Sequence, residues 1–278
     1  MVWIAIGALF VVAAGWIWFN VVEPRQLYRQ AERLIDRDPR QAAQLLEAAV
    51  NQSGGQYPEA QLLWSRAFVR MGQRQEALGC FSLIPKPSEL SAVHLLALAE
   101  DARRANETLL AELALGAIPK ISEHYIDACQ QLMELKSHEG RYQEVLAIGD
   151  ELAARHLVLP KAVFFMAQAH EQLADIPAAV SSYTDYLKVS DGEPFERANL
   201  ARRRLLRLAI QLGRPDVARD CLADLQGRGE LTEDDRLNQA KLLRLEGNLD
   251  AAWTLAQSLR EEDSANPDVM DLHALLAT

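Results

Sequence analysis

Small and apolar residues recur along this chain with a period close to 34. Ala42, Ala77, Ala111, Val145, Ala179, Ala218 and Ala252 stand 35, 34, 34, 34, 39 and 34 residues apart. Four positions further on come Leu46, Phe81, Leu115, Gly149, Tyr183, Leu222 and Ala256. Three beyond those come Ala49, Ile84, Ile118, Leu152, Tyr186, Leu225 and Leu259. Spacings of three, four and seven share one face of an α-helix. Each string therefore predicts a helix with one buried stripe. Turn signals precede the strings: Asp38-Pro39, Gly72, Asn106, Gly140, Ala174-Asp175-Ile176-Pro177, Gly213 and Gly247-Asn248. Each turn implies a partner helix upstream. The pattern predicts about seven helix pairs, then a last helix from Asn266-Pro267 through Leu276. The 39-residue step predicts a lengthened turn at Ser190-Asp191-Gly192-Glu193-Pro194.

Residues 1–22 follow another pattern. They carry no ionisable side chain, Val2 to Phe19 is nearly all apolar, and Trp3, Trp16 and Trp18 stand towards the ends. About 20 apolar residues cross the hydrocarbon of a bilayer as a helix, and Trp suits its interfaces. The expectation is one transmembrane helix over 1–22 and a single-pass membrane protein. A secretory signal would need a basic start and an Ala-x-Ala site, and neither is present. Arg25, Arg29, Arg33, Arg37 and Arg40 follow closely. The positive-inside rule then places the C-terminal side in the cytoplasm. The same spacing also reads as a plain solvated helix stripe. The opposite orientation puts the repeats in a periplasm or another extracytoplasmic space.

The small-x3-large-x2-apolar string resembles the second helix of the tetratricopeptide repeat (TPR), from about Leu27 to Ala277. The family's first-helix pattern is poorly kept: Met133 and Leu206 occupy small positions, and Gly149 thins the fourth repeat. The resemblance implies an all-α fold, a right-handed superhelical solenoid of about seven TPR-like helix pairs plus a C-terminal capping helix. With the transmembrane helix, the domains are 1–22 and 23–278. It also implies a concave groove lined by the first helix of each pair. Mapping that register nominates Arg66, Arg70, Arg103, Phe164, Arg203, Arg207, Lys241 and Arg244 as partner-binding residues. The last four stack cations on one wall. Arg guanidinium groups hold carboxylates in two-pronged hydrogen bonds, which points to an acidic peptide or a chain-terminal carboxylate. The chain broadly resembles bacterial membrane-anchored repeat proteins that assist envelope biogenesis. It lacks the Cys-x-x-Cys metal knuckle of one such family.

Composition narrows the remaining classes. The net charge of −10 argues against nucleic-acid binding, which needs a basic footprint. Cys80, Cys129 and Cys221 form no Cys-x-x-Cys pair, so neither a zinc ribbon nor a disulfide framework is expected. Four residues after His138 and His170 stand Tyr142 and Ala174, so no zinc pair forms on a helix face. No phosphate loop or nucleophile elbow is present. The expectation is no enzyme, no metal, no cofactor and no small-molecule substrate. The expected role is a membrane-anchored protein-interaction scaffold. The alternative is an extracytoplasmic assembly factor or chaperone of a secretion, pilus or cytochrome-maturation complex.

Overall fold

The computed structural model describes residues 23–190, 194–229, 231–263 and 266–277. The described residues form fifteen α-helices and one short 3-10 turn at Pro87–Glu89, with no strand. The helices are α1 (Glu23–Leu34), α2 (Pro39–Gln52), α3 (Pro58–Arg70), α4 (Arg74–Ser82) and α5 (Ala92–Arg104). Next come α6 (Thr108–Gly116), α7 (Tyr125–His138), α8 (Tyr142–Ala154), α9 (Pro160–Gln172) and α10 (Ile176–Val189). The last are α11 (Phe195–Gln211), α12 (Pro215–Gly227), α13 (Glu233–Leu245), α14 (Leu249–Glu262) and α15 (Pro267–Leu276). They form seven successive pairs and one final helix, as the repeat predicts. The predicted membrane span at 1–22 lies outside the described residues. Among the described residues no helix is long and apolar enough to cross a membrane.

The repeat positions are the core. All seven of Ala42, Ala77, Ala111, Val145, Ala179, Ala218 and Ala252 are 0% exposed. A small side chain there lets the helices of a pair approach closely. The next positions, including Leu46, Phe81, Leu115, Tyr183 and Leu222, fill the space between pairs. Burying each such side chain contributes roughly 1.5–3 kcal/mol. Met133 and Leu206, which break the small-residue pattern, are also fully buried. The chain divides into two compact units, one ending at Leu135 and the other starting at Lys136, so α7 carries the boundary. In the first unit α1 packs on α2, α3 on α4 and α5 on α6, and α3 also packs on α5. In the second, α9 packs on α10, α11 on α12 and α13 on α14, while α11 touches α13 and α13 touches α15.

Six of the seven turns within pairs use a left-handed residue. Gly72, Gly140, Gly213 and Gly247 supply it, with φ between 67° and 81°. Asn106 (φ 60°) and Ala174 (φ 59°) adopt the same conformation without glycine's freedom. Side chains then start the following helices. Asp38 accepts from the Gln41 N–H at 3.0 Å, and Asp175 accepts from the Ala178 N–H at 3.2 Å. The lengthened turn predicted at Ser190–Pro194 falls largely on residues 191–193, outside the described residues. Among those described, helix α11 runs 17 residues, against 13 for α9 and α13. The inserted residues extend a helix because Ala198, Ala201 and Leu205 keep one apolar face.

Candidate functional site

The predicted groove cations of the first unit are engaged within the chain. Asp101 on α5 is buried between two arginines of α3. Arg70 grips it with a fork, Nε to Oδ2 at 2.8 Å and Nη2 to Oδ1 at 3.0 Å. Arg66 Nε donates to the same Oδ2 at 2.5 Å. Arg70 Nη1 also donates to Asp36 Oδ1, at 2.5 Å. Burial alone would raise the Asp101 carboxyl pKa, but the hydrogen bonds from Arg70 and Arg66 outweigh it and hold it below the ordinary value. Arg103 Nη1 reaches Gln131 Oε1 at 3.4 Å, and its Nη2 stands 3.5 Å from Glu134 Oε1. These arginines tie each helix pair to the next.

The second unit holds an open cleft of about 630 Å³ among α9, α11 and α13, with Asp268 of α15 at its edge. Arg203, Arg204, Arg207 and Lys241 line it, opposite Glu171, Asp234, Asp235 and Asp268. Three of the eight nominated residues, Arg203, Arg207 and Lys241, are therefore brought together. Arg203 Nε donates to Asp235 Oδ2 at 2.9 Å. Asp235 is 1% exposed and closes a capping box with Thr232 at the start of α13. Arg207 ion-pairs with Glu171, yet its side chain is 62% exposed. Behind it, the Tyr183 hydroxyl donates to Glu171 Oε2 at 2.8 Å, and Arg204 Nη1 lies 3.3 Å from that oxygen. Burial pushes the Tyr183 phenol well above its usual range, so it stays a hydrogen-bond donor. Among the described residues the Lys241 side chain makes no ion pair or hydrogen bond. Arg244 is exposed and lies outside the cleft lining.

Phe164 departs from expectation. It is 5% exposed and packs in the core against Tyr186 and Tyr183, at ring separations of 5.2 and 6.2 Å. Helix α10 offers two large aromatic partners, so this side chain turns inward instead of lining a groove. Glu171, Tyr183 and Arg204 were not anticipated in the site. Thr232-x-x-Asp235 has capping-box spacing and was readable. Glu171 meets Arg204 and Arg207 only through the packing of α9 on α11. Burial pushes the thiols of Cys80 and Cys221 up to about 12, which leaves them protonated. Among the described residues no cluster of three or more His, Cys, Asp or Glu could hold a metal ion.

No protein-family model and no curated protein matches this sequence. Solved structures do resemble it. The structure of Naa15/Naa10 bound to HypK-THB superposes with a TM-score of 0.61 at 15% identity, over 91% of this chain and 39% of that one. The C-terminal part of a TPR repeat-containing protein from Cytophaga hutchinsonii gives 0.54 at 12% identity, over 88% and 98%. PilW, described as a widely conserved type IV pilus biogenesis factor, gives 0.46 at 17% identity, over 78% and 98%. At these identities the likeness concerns the fold alone. With the seven buried helix pairs, it gives this chain the fold of tetratricopeptide-repeat proteins.

Proposed function

We propose that this chain is a protein-interaction scaffold that seats a partner segment in the cleft of α9, α11 and α13. The observation that carries this reading is the uneven use of the cleft's cations. Arg203 and Arg204 are bound by buried acids, but among the described residues the Lys241 side chain has no partner, and Arg207 is largely exposed. A carboxylate entering the cleft can engage both without uncovering the core. Charge-assisted hydrogen bonds of this kind contribute about 1.5–3 kcal/mol each. The double charge reversal Arg207→Glu with Lys241→Glu is therefore expected to weaken partner binding at least tenfold, since 1.4 kcal/mol is one decade. Partners captured by the full chain from its own cells supply the measurement. Retention of every one of them at unchanged affinity by the folded double variant would sink the reading.

Membrane anchoring through residues 1–22 belongs to the same proposal and rests on their composition. Reporters active on one side only, fused after Thr278, test it and its orientation. Activity in the cytoplasm places the partners there. Activity on the far side makes the scaffold an extracytoplasmic assembly factor or chaperone.

A further inference from the structure

We infer that the exposed arginine stripe of α1 and the turn after it binds the anionic headgroups of a phospholipid surface. Arg25, Arg29 and Arg33 follow one another at four-residue steps on α1, Arg37 lies in the next turn, and Arg40 opens α2. All five are exposed. Among the described residues none of them makes an ion pair or a side-chain hydrogen bond. The contrast with other arginines is sharp: Arg66, Arg70, Arg103, Arg203, Arg207 and Arg236 all hold carboxylates.

Three of the acids near the stripe, Glu32, Asp36 and Asp38, have contacts away from it. Glu32 lies 3.9 Å from His94 Nε2. Asp36 receives Arg70 Nη1 at 2.5 Å. Asp38 caps the Gln41 N–H at 3.0 Å. Five guanidinium groups are left facing solvent on a chain whose net charge is −10. Beside Arg25 a recess of about 420 Å³ is walled by Tyr28 and Tyr57, whose rings are 5.6 Å apart, with Ser53, Gln56 and Glu59 at its rim. Tyrosine, with an apolar ring and a polar tip, belongs at a membrane interface.

Position supplies the last step, and it rests on the anchoring proposed above. Arg25 is three residues beyond the uncharged segment 1–22, so at most about 10 Å of chain separates it from that segment's end. Clusters of basic residues directly flanking a membrane helix are attracted to anionic lipid, and that attraction decays within a Debye length of about 8 Å at physiological salt.

The test uses the full chain reconstituted in vesicles of phosphatidylcholine alone, or with about 30% phosphatidylglycerol. Arginines are labelled with phenylglyoxal and each site is read by peptide mass spectrometry. In the anionic vesicles, labelling of Arg25, Arg29 and Arg33 is expected to slow about fivefold or more, and to recover at about 0.5 M salt as screening sets in. Arg244 and Arg260, exposed and unpaired among the described residues and outside the stripe, serve as controls and are expected to keep one rate in both lipids. Equal rates for the stripe in the two lipids, or equal slowing at the controls, would overturn the inference. Flotation scores the anchor separately. A chain that floats only with anionic vesicles refutes anchoring and keeps the stripe. One that floats with both, without slowed labelling, refutes the stripe and keeps the anchor.

Discussion

Replacing Gly149 by alanine sets two effects of similar size against each other. Gly149 lies inside α8, where glycine costs about 1 kcal/mol relative to alanine. On propensity alone the substitution stabilises. Packing opposes it. A Cβ at this position would stand 2.3 Å from Met166 Sδ, 2.5 Å from its Cγ and 3.0 Å from its Cε. Comfortable contact needs about 3.5–4.0 Å. Methionine is adaptable, but Cγ moves only if χ1 turns or α9 shifts, because it is bonded directly to Cβ. Forced repacking of this kind costs about 1–3 kcal/mol. The expected net result for Gly149→Ala is a loss of about 1 kcal/mol. Met166 is only half-buried, so Met166→Ala alone is expected to cost about 1–2 kcal/mol, below the range for fully buried methionine. In the double variant the clash disappears and the helix keeps its gain, so it should be more stable than the sum of the single changes by about 1–3 kcal/mol. Urea unfolding followed by helical circular dichroism measures all four corners of the cycle. If Gly149→Ala stabilises by the full propensity gain, and adds to Met166→Ala within about 0.5 kcal/mol, then the α8–α9 approach does not constrain this position.

Other consequences can be checked in the same assay. Asp101→Asn leaves Arg66 and Arg70 half-buried without their carboxylate and should cost about 2–4 kcal/mol. Because the folded Asp101 pKa lies below its unfolded value, its contribution is complete above about pH 4. It fades as the pH falls through the folded pKa, so wild type and Asp101→Asn should converge in acid; a constant difference down to about pH 2 would contradict the ion-pair origin. Thr232→Ala removes the Oγ1 acceptor for the Asp235 N–H and should cost about 1 kcal/mol, with no change expected if water replaces the cap. Ala174→Gly relieves a left-handed alanine worth about 1–2 kcal/mol while loosening the unfolded chain by about 0.4–1 kcal/mol. A net gain of about 0.5–1 kcal/mol is expected, and a loss would mean that the turn holds this residue by other contacts.

The core was legible in the sequence because its cause is local. Helix periodicity and close pairing select small residues at Ala42, Ala77, Ala111 and their equivalents, and every one of them is fully buried. The placement of Phe164 was not legible, since its direction depends on Tyr183 and Tyr186 of the next helix. The extra turn of α11 hid for a related reason: a spacing of 39 says that residues were added and not which element received them. Of the candidate site, the register found Arg203, Arg207 and Lys241 but not the acids that hold two of them. The pairing of those acids with the arginines carries no short-range signal.

They do carry a signal at the repeat period. Asp101 is 35 residues from Arg66 and 31 from Arg70. Asp235 is 32 from Arg203, and Glu171 is 33 from Arg204 and 36 from Arg207. Stacking first helix on first helix brings residues one period apart into register, so an arginine with an acid one period away is bound by its neighbour. Such a residue stabilises the stack and is a poor candidate for a ligand contact unless, like Arg207, it stays largely exposed. The converse separates the cations left for function. Helix α1 has no helix pair before it among the described residues, and its three arginines, with Arg37 and Arg40 beyond it, are unpaired there. Lys241 and Arg244 sit on α13, and among the described residues they too are unpaired. Among the described residues, free positive charge therefore collects in the first and last helix pairs. That is the physical reason to look for the lipid contact in the first pair and the partner carboxylate beside the last.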